Sequence, residues 1–171
     1  MAKKKKSSSH NLPAVVHPAV ASDRSPVIMT ELVLPSHTNA LNTIFGGVVM
    51  GWIDIAGAIA AQRYCRNPVV TVSIDHLHFI VPIKIGYTVR ITARVTYAGR
   101  TSMETEVLVD AENAITGEVR RATKAYLTYV AIDAQGRPKQ VPSFSVSGAA
   151  EKKAFAEAEV RRKRRLAWLG E

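Results

Sequence analysis

The stretch from Ile44 to Ala61 constrains the fold of this chain most. It is apolar nearly all round, contains four glycines and carries a single ionisable side chain, Asp54. Its length and alanine content read as a helix, from Val48 to about Arg63, rather than a strand. A helix without a polar face has to be enclosed, and the flanking sequence offers strands to enclose it. Pro26–Leu34 is β-branched and apolar, and Val69–Ile80 is a second such run ending near Pro82. Thr88–Ala98 alternates, with Val89, Ile91, Ala93, Val95 and Tyr97 opposed to Arg90, Thr92, Arg94 and Thr96. Ser102–Glu112 and Val119–Ile132 continue the pattern across the turns at Gly99-Arg100 and Asn113–Gly117. Such alternation places one sheet face in a core and the other in water. The expected class is α+β: a strand, a buried helix, then a four-strand antiparallel meander wrapped around it.

Both ends differ in character. Residues 1–25 are basic and aperiodic and read as a disordered tail. Residues 26–142 form the folded domain, and 143–171 a linker and a charged, alanine-rich, peripheral helix. The net charge of +9 sits mainly in the ends: +4 in residues 1–24 and +3 in 149–171, against +2 in the 124 residues between. A nucleic-acid binder needs its basic residues on a folded face, so no nucleic-acid partner is expected. No apolar run has the length and freedom from charge of a membrane span, and no membrane association is expected. The one cysteine, Cys65, excludes an internal disulfide and fits a reducing, cytoplasmic setting.

The familiar catalytic spacings are absent. There is no nucleophile elbow and no phosphate-binding loop, and one cysteine with scattered histidines makes no zinc site. His76 and His78 share a strand face but lack an evident third ligand, so no metal and no cofactor are expected. Asp54 stands out. It lies about two turns into the helix, too deep to cap it, and a buried carboxylate is costly unless paired or hydrogen-bonded. Desolvation would raise its affinity for a proton toward the range of a general base. A structural acid tied to a cation or to backbone groups is the equally good alternative. Gly46-Gly47 precede the helix, where free N–H groups and the positive end of the dipole can polarise a carbonyl; simple turn geometry would also explain them.

The run His37–Ala61, HTNALNTIFGGVVMGWIDIAGAIAA, resembles the acyl-CoA thioester hydrolases of the hotdog superfamily. It is similar to the bacterial branch of broad acyl-CoA specificity and to the brain-type cytosolic acyl-CoA hydrolases. The likeness continues through residues 69–109 and 120–142, and so covers about residues 26–142. It implies a hotdog fold, a curved antiparallel sheet around one long helix. It implies a homodimer as the minimal active unit, assembled into a trimer of dimers, with the active site between subunits. The substrate would be acyl-CoA and the products a fatty acid and CoA, with no cofactor. Asp54 matches the family's catalytic acid, as general base or nucleophile, and Gly47 the helix-start N–H that holds the thioester oxygen, contributed by the other subunit. Thr43 departs from the pattern: some members have Asn or Asp there, so Asn39 or Asn42 beside it would orient water. The segment Gly99–Met103 resembles the turn that meets the CoA nucleotide, with Arg100, Thr101 and Ser102 as contacts. Phe79 is expected along the acyl pocket. A non-catalytic, regulatory acyl-CoA-binding hotdog protein is the alternative, and enoyl-CoA hydration fits poorly because no histidine shares the helix with Asp54.

Overall fold

A computed structural model describes residues 22–170. Five strands, β1 (Val27–Leu32), β2 (Val69–Phe79), β3 (Thr88–Ala98), β4 (Ser102–Asn113) and β5 (Glu118–Ala131), form one sheet in the order β1-β3-β4-β5-β2, antiparallel throughout. Helix α1 (Gly46–Cys65) lies in its concave face, and helix α2 (Gly148–Leu169) crosses the convex one. This is the hotdog arrangement. Among the described residues no helix is long and apolar enough to cross a membrane.

The strand order corrects the expected meander. Only β3, β4 and β5 are joined as hairpin neighbours. β2 pairs with β5 at the far edge, and β1 closes on β3. Alternation reports which face a residue takes, not which strand lies beside it. The tail expected over residues 1–25 falls mostly outside the described residues. Of its described part, Arg24 donates to Glu151 of α2 and, at 2.6 Å, to the Ser145 carbonyl.

Helix α1 starts two residues earlier than expected and takes Gly46 and Gly47 into its first turn. It stops at Arg66, in the left-handed region at φ 53°, and Pro68 prevents its continuation. It is not enclosed on all sides. Val49, Ile53, Ala56, Gly57, Ala60, Ala61 and Tyr64 form one stripe buried against the sheet. On the remainder of the helix Ile55 is 50% exposed and Met50 40%. The free edge strand β2 exposes Val70, Val72 and Ile74 as well. Exposed apolar surface of this extent marks a surface built to be covered.

The convex face is drier than alternation implies. The register shifts between Val95 and Tyr97, which moves Tyr97 from the expected inner row to the outer one. There its ring packs on Phe155 of α2, 4.9 Å between centroids. Glu104, also on the outer face, is 2% exposed. Arg161 of α2 grips it with two hydrogen bonds of 3.0 and 2.7 Å, and Thr96 donates a third at 2.8 Å. Arg165 reaches Asp75 at 2.5 Å. Burial would push the nearby Glu106 carboxyl up, but Lys124 and Arg94, bonded to it, outweigh that and hold it below the usual range.

Removing one partner of a buried ion pair strands the other charge. Arg161→Ala should therefore lower unfolding stability by about 3 kcal/mol in urea titrations. Glu104→Gln combined with Arg161→Met should recover most of that loss.

Candidate active site

Asp54 lies in the first half of α1, facing β2 and β5. Its carboxylate is half-buried, not enclosed, and no cation among the described residues pairs with it. Two hydroxyls hold it from the strands. Thr71 of β2 donates to Oδ1 at 2.7 Å, and Tyr129 of β5 lies 3.1 Å from Oδ1 and 2.9 Å from the Asp54 carbonyl. Both bonds converge on one oxygen, so Oδ2 keeps its lone pairs for an incoming group. Among the described residues the partners of this carboxylate are hydroxyls, with neither a cation nor a backbone N–H bonded to it.

Tyr129 is fully buried. Burial first, and then the adjacent Asp54 carboxylate, push its phenol far above the usual range. It stays protonated and serves as a fixed donor. Sequence reasoning missed both Tyr129 and Thr71. Thr71 sits in an apolar strand, and nothing in its neighbours marks it. Tyr129 carried one weak signal, a hydroxyl on the inward-facing row of β5, where a buried phenol needs a partner.

The start of α1 is the second polar element. Phe45, the residue before it, supplies no side-chain cap, and no partner for the N–H of Gly46 or Gly47 is found among the described residues. The two glycines lie close against aromatic rings, which a side chain at either position would displace. A Cβ on Gly46 would lie 3.2 Å from the Phe79 ring, and one on Gly47 would lie 2.6 Å from that of Phe45. Phe79 thus stands over the helix start. With Thr43 and Ile83 it lines a recess of about 320 Å³.

The loop before the helix is organised by Asn39. Its side-chain oxygen accepts from the Leu41 N–H at 2.9 Å and the Thr43 hydroxyl at 3.2 Å. Asn39 and Thr43 therefore act on each other. Asn42 takes the left-handed turn position at φ 55°, which suits an asparagine, and its side chain is exposed. Arg100, Thr101 and Ser102 lie elsewhere. Ser102 pairs with Val130, opposite Val70, at the other end of β2 from Phe79. The Ser102 side chain lines the convex face, beneath α2. Nine residues of strand separate the two clusters, roughly 30 Å. Within one chain the residues expected to bind CoA do not form one site. Among the described residues no group of three side chains could hold a metal ion.

The sequence matches the family described as the thioesterase superfamily over residues 41–118. It is 42% identical over 118 residues to an uncharacterized acyl-CoA thioester hydrolase, YkhA, of Bacillus subtilis, covering 69% of each chain. Among solved structures it is similar to an apo-hexameric acyl-CoA thioesterase, at TM-score 0.81 and 40% identity over 85% of this chain and 94% of the other. It is similar also to an acyl-CoA hydrolase of Staphylococcus aureus in complex with butyryl coenzyme A and coenzyme A. There the TM-score is 0.76 and the identity 37%, over 83% of this chain and 87% of the other. That hydrolase has also been solved as alanine mutants of an aspartate, a threonine and an asparagine. The chain belongs to the hotdog thioesterase superfamily, among its acyl-CoA thioester hydrolases.

Gly57, one turn beyond Asp54, is the point of closest approach between α1 and β5. A Cβ there would meet the Tyr129 hydroxyl at 2.4 Å and the Thr105 hydroxyl at 2.9 Å. Gly57→Ala should destabilise the fold by about 2 kcal/mol. Differential scanning calorimetry checks it: an unchanged Tm would mean that α1 tolerates displacement from Tyr129.

Proposed function

We propose that this protein hydrolyses acyl-CoA to a fatty acid and CoA, at a site shared by two copies of the chain. The observation that carries the reading is Asp54: an unpaired carboxylate on an apolar, accessible helix flank, with Oδ1 held by Thr71 and Tyr129 and Oδ2 free. In this reading Oδ2 takes a proton from water as the water oxygen adds to the thioester carbon. The tetrahedral oxyanion is received by free N–H groups at the start of α1. The C–S bond then breaks, and the departing thiolate takes up the proton. Asp54 as direct nucleophile is the variant of this route in which an acyl-aspartyl anhydride is hydrolysed in a second step. Neither route needs a cofactor.

Distance argues that two chains build the site. Gly47 and Asp54 lie seven residues apart on one helix, roughly 10 Å along its axis. The carbonyl oxygen and the attacked carbon are bonded to each other, so their two partners must lie within a few ångströms. A helix start brought by a second chain can meet the carbonyl without that separation. Antiparallel pairing of the free edge β2 with a second copy would bring one chain's Asp54 toward its partner's helix start. The same pairing would join the turn Gly99–Ser102 to the partner's Phe79 end. It would also cover Ile55, Met50 and Val72. The hexameric relative supports a trimer of such dimers. Thr43, engaged with Asn39, would order the loop, leaving proton transfer to Asp54. The aspartate, threonine and asparagine replaced in the relative are the residue kinds found here at Asp54, Thr71 and Asn39.

Asp54→Asn should lower kcat on acyl-CoA by about 1,000-fold while the assembly stays intact. Native turnover by that variant would sink the reading, and native protein that binds acyl-CoA without hydrolysing it would favour the regulatory alternative. Gly47→Pro removes one N–H where the first turn of a helix tolerates proline. Co-expressing Asp54→Asn with Gly47→Pro should restore roughly a quarter of native activity, since random pairing leaves that share of sites with both groups native. No restoration is the result expected of a site built within one chain.

A further inference from the structure

On the convex face, the C-terminal half of α2 roofs a cavity of about 610 Å³ over β5 and β2. The sheet separates it from Asp54. Thr71 and Tyr129 point to α1, whereas Ser73 and Thr128 face the cavity. Its volume is that of a small-molecule site.

Three features define what it would take. The first is uncompensated charge. Arg161 and Arg165 also border the cavity, but Glu104 and Asp75 neutralise them. Arg162 and Arg164 line it without an acidic partner among the described residues, and residues 160–169 contain no acid at all. The second is Thr128. It is 4% exposed, lines the cavity, and its hydroxyl has no hydrogen-bond partner among the described residues. A buried polar group left in this way is rare unless a ligand or water completes it. The third is an apolar wall of Val130 and Leu166, with Trp168, 85% exposed, at the rim.

We propose that this cavity binds an anionic amphiphile, an alkyl chain bearing a carboxylate or phosphate head. The head lies within reach of Arg162 and Arg164, which border the cavity from two sides of α2 and whose guanidinium groups suit either oxyanion. The chain lies along Val130 and Leu166, and Trp168 closes over it. A nucleic-acid backbone would use the same charges but not an apolar recess. The site lies across the sheet from its own chain's Asp54, with Ser102 of the turn expected to meet CoA at its edge. Fatty acid released at Asp54 and fatty acid from any other source are the same ligand to it.

The test uses the full-length oligomer carrying Asp54→Asn, with Trp168→Phe identifying the contribution of Trp168 to fluorescence. Dodecanoate and dodecyl phosphate should each shift Trp168 emission to shorter wavelength and saturate, their relative affinities naming the preferred head. Dodecanol should not. Arg162→Ala with Arg164→Ala should weaken both anions about tenfold or more. Thr128→Val should weaken them less and leave the unfolding transition in place. In an otherwise native chain, the double arginine change should leave KM for acyl-CoA unaltered. Three results would overturn the proposal: no saturable Trp168 response to either anion, equal binding of dodecanol, or a KM that rises in step with the lost affinity. The last would make the arginines part of the CoA site, whereas hydrolysis itself is judged by Asp54→Asn alone.

Discussion

Close packing of α1 on β4 and β5 is the contact on which the rest of the structure depends. It is possible because Ala56, Gly57, Ala60 and Ala61 present almost no side chain to the sheet. The helix can then lie near enough for Tyr129 to reach Asp54 from below. Gly57 sits where any larger residue would push the Tyr129 hydroxyl away. The same seam therefore stabilises the core and orients the carboxylate. Small-residue packing gains less apolar area per contact than a leucine seam, but many short contacts at high density compensate.

That seating leaves the molecule unfinished on one side. A helix apolar all round, buried along one stripe only, keeps Ile55 and Met50 in solvent, and the neighbouring edge strand does the same with its valines. A second copy placed there would do three things at once. It would cover apolar surface, extend the sheet at its open edge, and bring a second helix start toward the carboxylate. Association and catalysis are then aspects of one surface. The hydroxyl donors on Oδ1 belong to the chain that carries Asp54, so the carboxylate is oriented within a single chain.

The convex face follows another logic. Glu104, Glu106 and Asp75 lie under or beside α2 and are matched by Arg161, Arg94, Lys124 and Arg165. Paired charges of this kind set where a helix docks more than how strongly it holds. Pairing consumes half of the arginine cluster at the end of α2. The unpaired half faces the cavity.

Periodicity and composition were enough to read the class, the five strands and the central helix, because side-chain alternation and helical length are local properties. They also singled out Asp54, since a lone charge in an apolar run is conspicuous in one dimension. Strand order was not legible: β2 lies beside β5, and no local pattern encodes a neighbour some fifty residues away. The bulge that turns Tyr97 outward was hidden for a related reason, since one extra residue changes the face without changing the composition. Thr71 and Tyr129 became partners of Asp54 only through that strand order. The sequence by itself determined that one carboxylate would sit on an apolar helix among antiparallel strands. The tertiary structure alone decided which hydroxyls hold it and that it stays accessible.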